Sequence, residues 1–219
     1  MTKKTFLGAM AVVTAVALTC GALVASNMGF KLNYPMSQPA AAPVDGTNTL
    51  ALPDNRQTGL ADAKNLMDDI GSASVQNLAR YVKATAAFQT YTGRKNGGLA
   101  FPLVAGEGYI VKMFTTVNYV VVGSDDPALS YSLTQPGAAP VDGTNFFSYN
   151  YHQTAADSKG LMDDIGSASV QNLARYVQST AAFQTYTGRK NGGLAFPLVP
   201  GQAYVVKMFT TVNYAPSHY

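Results

Sequence analysis

The chain repeats part of itself, and this repeat limits what the sequence can fold into more than any other feature. The segment Leu66–Tyr119 matches Leu161–Tyr214 over 54 positions, of which six differ. The differing pairs are Lys83/Gln178, Ala84/Ser179, Ala105/Pro200, Glu107/Gln202, Gly108/Ala203 and Ile110/Val205. An earlier block that begins at Pro43 matches a block that begins at Pro140. Because each copy has about the size of one domain, the sequence predicts two tandem, near-identical modules.

The first 26 residues have the pattern of an export signal. Lys3 and Lys4 form a basic start, and an apolar run without charge extends from Phe6 to Ala25. Small residues at the end of this run predict cleavage before Asn27. A run of about 20 apolar residues can also cross a bilayer, so a retained anchor or a hydrophobic filament helix is the alternative.

The repeat and the signal together divide the chain. The predicted signal covers 1–26, module one 27–123, a linker 124–127 and module two 128–219. After cleavage we expect the chain to be secreted, extracellular or at the cell surface, without a membrane segment.

Charge and cysteine content exclude several classes of function. Cys20 is the only cysteine and lies within the predicted signal, so the mature chain would contain neither a disulfide nor a thiolate metal ligand. The formal net charge is +3, and the loss of Lys3 and Lys4 reduces it to +1. Such a small charge argues against nucleic acid as a partner, because binding to its backbone requires a dense basic surface.

Within one module, the residue pattern predicts one short helix and several strands. Apolar residues recur at helical spacing from Leu60 to Ile70, with Asp62 near the start and Gly71 as a C-cap. The runs richest in β-branched and aromatic residues are the predicted strands, at Val75–Val82, Ala87–Thr92, Tyr109–Phe114 and Val117–Val122. Short strands at this spacing predict a mostly β fold, a sandwich or a small barrel-like structure.

No catalytic or metal-binding pattern is recognisable. Asp68 and Asp69 are adjacent, so on a helix their carboxylates point about 100° apart rather than converging across a cleft. The only histidines, His152 and His218, have no counterparts in the other copy. We therefore expect a non-enzymatic protein with no cofactor and no metal.

Two features could contact a ligand. The turn Gly93–Gly98 is basic and is repeated as Gly188–Gly193, and several tyrosines occur as matched pairs. The candidate ligand contacts are Arg94, Lys95 and Tyr91 in the first copy and Arg189, Lys190 and Tyr186 in the second. The alternative interpretation is a solvated hairpin tip with tyrosines that pack in the core.

The ends of the two modules differ. Module one continues after Tyr119 as Val-Val-Val-Gly, whereas module two continues after Tyr214 as Ala-Pro-Ser-His-Tyr. Pro216 cannot donate a hydrogen bond to a neighbouring strand, so we expect the last strand to be short. An N-terminal strand of one molecule could then dock at the truncated end of another and form a head-to-tail filament. The residues expected at this assembly interface are Phe30, Leu32, Tyr34, Val212 and Tyr214.

The stretches ASNMGFKLNYP, LMDDIG, QTYTGR and PGQAYVVK resemble those of exported bacterial proteins with tandem β-rich modules. The overall plan is also similar to subunits of bacterial extracellular filaments built by strand exchange. The leading expectation is therefore a structural subunit of a bead-like extracellular filament or surface matrix, whose partner is another copy of itself. The alternative is a secreted module that binds glycans or another surface by avidity.

Overall fold

The computed structural model describes residues 29–56, 59–149 and 153–217. The predicted signal peptide, Cys20 and both histidines lie outside the described residues. Within the described ranges, no helix has the length and apolar character needed to cross a membrane.

The first half of the described chain contains seven strands and one α-helix. They are β1 (Phe30–Met36), β2 (Thr47–Ala51), β3 (Asn55–Arg56), α1 (Ala63–Ile70), β4 (Val75–Val82), β5 (Ala87–Tyr91), β6 (Gly108–Met113) and β7 (Val117–Ser124). The second half repeats most of this order. It contains β8 (Tyr131–Leu133), β9 (Thr144–Ser148), α2 (Ser158–Ile165), β10 (Val170–Val177), β11 (Ala182–Tyr186), β12 (Ala203–Met208) and β13 (Val212–Tyr214).

The strands form four antiparallel sheets, so the prediction of a mostly β protein with short helices is confirmed. One four-stranded sheet has the order β2-β6-β4-β5, and the other has the matching order β9-β12-β10-β11. Each half also contains a smaller sheet. Its strand order is β1-β7-β3 in the first half and β8-β13 in the second.

Each half has its own sandwich-like core. In the first half, Leu32 and Tyr34 of the small sheet are buried with Leu78 and Tyr109 of the large sheet. In the second half, Leu133 and Tyr214 are buried in a separate cluster with the matching strands. The alternation of buried and exposed residues along β1 follows from the two-residue period of a strand.

The helices close one side of each core. Asp62 precedes α1, and its carboxylate accepts a hydrogen bond from the Asn65 amide at 2.8 Å. Such an N-cap satisfies an amide that has no partner within the helix. Leu66 and Ile70 face the core, and the helix ends at Gly71, as the pattern predicts.

Strand boundaries from the sequence are close to those observed, with three omissions, of which the two-residue strand β3 is one. Val75–Val82 is observed as predicted, and the last strand is short, since β13 has three residues and β7 has eight. The other two are β2 and β9, which follow the turn that begins at Pro43 or Pro140. Their outer faces contact the other half of the chain, which no local pattern reveals.

The two large sheets face each other. Strands β2 and β6 of the first half lie against β9 and β12 of the second. A Cβ added to Gly108 in β6 would lie 2.7 Å from the Phe146 ring of β9, which shows how closely the two sheets approach.

Candidate functional site

Each half carries a polar cleft beside its basic turn. The first cleft has a volume of about 410 Å³, and the second has a volume of about 420 Å³. The first is lined by Gln76, Asn77, Thr92, Arg94, Lys95, Asn96 and Gly97. The second is lined by Gln171, Asn172, Thr187, Arg189, Lys190, Asn191 and Gly192. Both clefts are shallow and open to solvent rather than enclosed.

The turn is held by its own backbone. The Thr92 amide donates to the Gly97 carbonyl at 2.9 Å, and the Gly97 amide donates to the Arg94 carbonyl at 2.8 Å. Asn96 has a φ of 80° and Gly98 a φ of 90°, and these residue types tolerate the left-handed region best. The structure therefore contains the turn predicted at Gly93–Gly98, and its Asn96-Gly97 pair is typical of such tight turns.

A β-bulge supplies the opposite wall. The register between β4 and β6 shifts between Val75 and Asn77, and both Gln76 and Asn77 line the cleft. Bulges commonly redirect side chains in this way. Sequence reasoning missed these two amides because the bulge results from strand pairing between β4 and the distant β6.

The lining suits a hydrophilic, negatively charged ligand. Arg94 and Lys95 are exposed and supply two positive charges, and none of the seven lining residues is acidic. The Gln76 and Asn77 amides can both donate and accept, and Thr92 adds a hydroxyl. Such a set can bind hydroxyl groups and a carboxylate or sulfate together.

The predicted tyrosines lie next to the clefts rather than in them. Tyr91 pairs with Leu78 at the edge of the sheet and packs against the first core, and Tyr186 occupies the matching place in the second. Of the predicted ligand contacts, the structure therefore brings the arginine and the lysine of each turn to a cleft.

The residues predicted for the assembly interface make strand pairs and core contacts within the chain itself. β1 pairs with β7 over seven positions, from Phe30 opposite Gly123 to Met36 opposite Val117. Phe30 packs against the first core, in which Leu32 and Tyr34 are buried. β13 pairs with β8 over three positions, with Tyr214 buried and Val212 packed beside it. Strand donation by β1 therefore requires β1 to leave β7.

The adjacent aspartates diverge, as expected on a helix. Asp68 pairs with Lys64 at 2.6 Å on the exposed side, and Asp69 accepts from the Tyr119 hydroxyl at 2.8 Å. Burial, together with this hydrogen bond, raises the pKa of Tyr119 above its ordinary value. Among the described residues, no three His, Cys, Asp or Glu side chains group as a metal site would require.

Comparisons with known proteins add no family assignment. No family model, no curated protein and no solved structure matches the chain.

Proposed function

We propose that this chain is an exported, non-enzymatic protein that binds an acidic glycan through its two clefts. The cleaved signal, the extracellular location and the tandem arrangement of two modules are parts of this proposal. The observation that carries it is the equivalence of the clefts, since all seven lining residues have the same type at matching positions.

Two equivalent sites on one chain suit a polymer that repeats one chemical unit. Once the first site is occupied, the second binds at a high effective concentration, so avidity can far exceed the affinity of either site. A polysaccharide with a carboxylate on each sugar offers hydroxyl groups to Gln76 and Asn77 and a charge to Arg94 and Lys95.

The test compares single-cleft and double-cleft variants on immobilised polygalacturonate, with neutral dextran as the uncharged surface. The first-cleft variant is Arg94→Ala with Lys95→Ala, and the second-cleft variant is Arg189→Ala with Lys190→Ala. We expect each to weaken retention about tenfold or more, and the combined variant to abolish it. On a short galacturonate oligomer, each single-cleft variant should halve the stoichiometry and leave the affinity of the remaining site unchanged.

A charge-matched control separates specific binding from general attraction. Lys31→Ala with Lys64→Ala removes the same charge from exposed positions outside the clefts, and it should bind like the original chain. Equal losses in the control and the cleft variants, or retention by none of the proteins, would contradict the proposal.

Assembly into an extracellular filament is the second candidate function, and one observation favours it. β13 pairs with β8 on one edge and has no strand on its other edge within the described residues. Residues 127–130, which match the start of β1, lie outside any strand. An added strand could extend this short sheet by main-chain hydrogen bonds.

Electron microscopy of the native secreted material tests this second candidate. Long beaded fibres would support assembly, and deletion of residues 27–33 should then abolish them. Because this deletion also removes Leu32 from the core, circular dichroism must show that the shortened chain folds. Fibres that persist in the folded, shortened chain would exclude donation by β1.

A further inference from the structure

The face between the two halves is built from contacts that occur twice. The Tyr81 hydroxyl donates to Asp142 at 2.9 Å, and the Tyr176 hydroxyl donates to Asp45 at 2.9 Å. Tyr81 matches Tyr176 in the repeat, and Asp45 matches Asp142. Each half therefore supplies both the donor and the acceptor of the same pair.

Backbone hydrogen bonds across this face also occur as a reciprocal pair. The Ser148 amide donates to the Gly106 carbonyl at 3.0 Å, and the Ala51 amide donates to the Gly201 carbonyl at 2.8 Å. Ser148 and Ala51 are matching positions, as are the two glycines. In a twofold contact, residue i of one copy meets residue j of the other, and j meets i.

The glycines allow a close approach of aromatic rings. A Cβ on Gly106 would lie 2.6 Å from Tyr131 Cδ1 and closer still to Cε1, and one on Gly201 would lie 2.7 Å from Tyr34 Cε1. Tyr34 and Tyr131 also match in the repeat. Three independent sets of contacts are thus related by the same approximate twofold axis.

Within the near-identical segment, four of the six differing pairs lie at this face. Lys83 donates to the Ser132 carbonyl across the interface at 2.7 Å, whereas its counterpart Gln178 donates to the Asn48 side chain. The pairs Ala105/Pro200 and Glu107/Gln202 line two interfacial clefts, one on each side of the axis. The Lys83 and Gln178 contacts are therefore not reciprocal, unlike those of the identical pairs Tyr81/Tyr176 and Asp45/Asp142.

Near the twofold axis, the matched residues of the two copies differ in size. A Cβ on Gly108 would lie 2.7 Å from the Phe146 ring and closer still to the Ala203 Cβ. Ala203 is the counterpart of Gly108, and Thr49 is the counterpart of Phe146. The first copy thus has the smaller residue in both matched pairs, and the second copy has the larger.

We infer that this face is a self-complementary docking surface whose fitting partner is a second copy of the same repeat. One chain is then a covalently joined twofold pair, and the face of the first copy can also pair with the same face of another chain. This inference does not depend on glycan binding.

Oligomeric state tests the inference directly. Ala203→Arg places a long charged side chain against Gly108 and blocks the pairing within the chain. The first-copy face is then exposed, and two such faces meet at Gly108 without a Cβ at the contact. In analytical ultracentrifugation we expect a concentration-dependent dimer for this variant and a monomer for the original chain at the same concentrations. A variant that is folded and monomeric at all concentrations would overturn the inference.

An exchange of residues between the copies provides the second measurement. Gly108→Ala alone should lower the melting temperature by roughly 4–8 °C through overpacking. Adding Ala203→Gly, Phe146→Thr and Thr49→Phe exchanges both matched pairs across the axis, and should recover most of this loss. If the four substitutions instead add their separate losses, the face has no twofold relation and the inference fails.

Discussion

The cleft of the first copy and the cleft of the second have the same lining, whereas the two faces that meet between the copies differ at Gly108/Ala203 and Glu107/Gln202. The exposed clefts are identical at every matched lining position. At the interface, each copy adjoins the other, so a larger residue on one side requires a smaller residue on the other. The residues of the clefts are therefore identical in the two copies, whereas residues of the interface between the copies differ.

The largest expected effect tests whether the cores are equivalent. Leu66 and Leu161 are both fully buried at matching helix positions. Either leucine replaced by alanine should lower the free energy of unfolding by about 2–5 kcal/mol, and the two losses should agree closely. Urea denaturation measures both. Losses that differ by more than about 1 kcal/mol would show that the cores are not equivalent.

Acid should weaken the interface at both reciprocal carboxylates. Burial alone would raise the pKa of Asp45, but hydrogen bonds from Thr47, Tyr176 and Lys112 lower it to about 2. The pKa of Asp142 is also about 2, for the matching reasons. A lowered folded pKa contributes stability that is present above the ordinary pKa, here 3.8, and lost as the pH falls toward 2.

Thermal denaturation from pH 5 to pH 2 measures this loss. Asp45→Asn with Asp142→Asn should be less stable than the original chain at pH 5 and should approach it at pH 2. Parallel pH profiles for the two proteins would contradict the assignment.

The reciprocal tyrosines test the symmetry of the interface. Tyr81→Phe and Tyr176→Phe each remove one hydroxyl that donates to a carboxylate. Each substitution should lower the free energy of unfolding by about 1 kcal/mol, and the two losses should be equal. Chemical denaturation measures the two losses in free energy of unfolding. If they are unequal, the twofold relation holds for the backbone contacts but not for these side chains.

The Glu107/Gln202 difference predicts a pH effect confined to one side of the interface. Burial raises the pKa of Glu107, and this effect exceeds the lowering by the positive charges of Arg80 and Lys83. A raised folded pKa costs stability above that pKa, and the cost disappears as the pH falls to 4.5. Glu107→Gln, which copies the second half, should raise the melting temperature by up to about 2 °C at pH 8 and not at pH 4. An equal gain at both pH values would point to a cause other than ionisation.

The smallest effect concerns the exposed helix pairs. Lys64 pairs with Asp68 and Lys159 with Asp163, each at 2.6 Å and each exposed. Removing either lysine should change the free energy of unfolding by no more than about 0.5 kcal/mol, because solvent screens exposed pairs. A larger loss in one copy alone would reveal an inequivalence of the two helices.

Local patterns predicted the local elements of this fold. The spacing from Leu60 to Ile70 gave the helix, Asp62 its cap, and the β-branched run Val75–Val82 a strand with the observed bounds. Arg94 and Lys95 were found because a turn is a short-range feature. Gln76 and Asn77 were missed because their orientation depends on pairing with β6.

The sequence by itself determined the repeat, the mostly β character and the short last strand, since each depends on residue order over a few positions. The tertiary structure decided that β1 pairs with β7 and that the two large sheets meet at Gly108 and Ala203. Both are contacts between distant parts of the chain, and their geometry depends on shape complementarity between complete surfaces. No local periodicity records such complementarity, because a strand face covered by a second sheet has the same pattern as one covered by its own core.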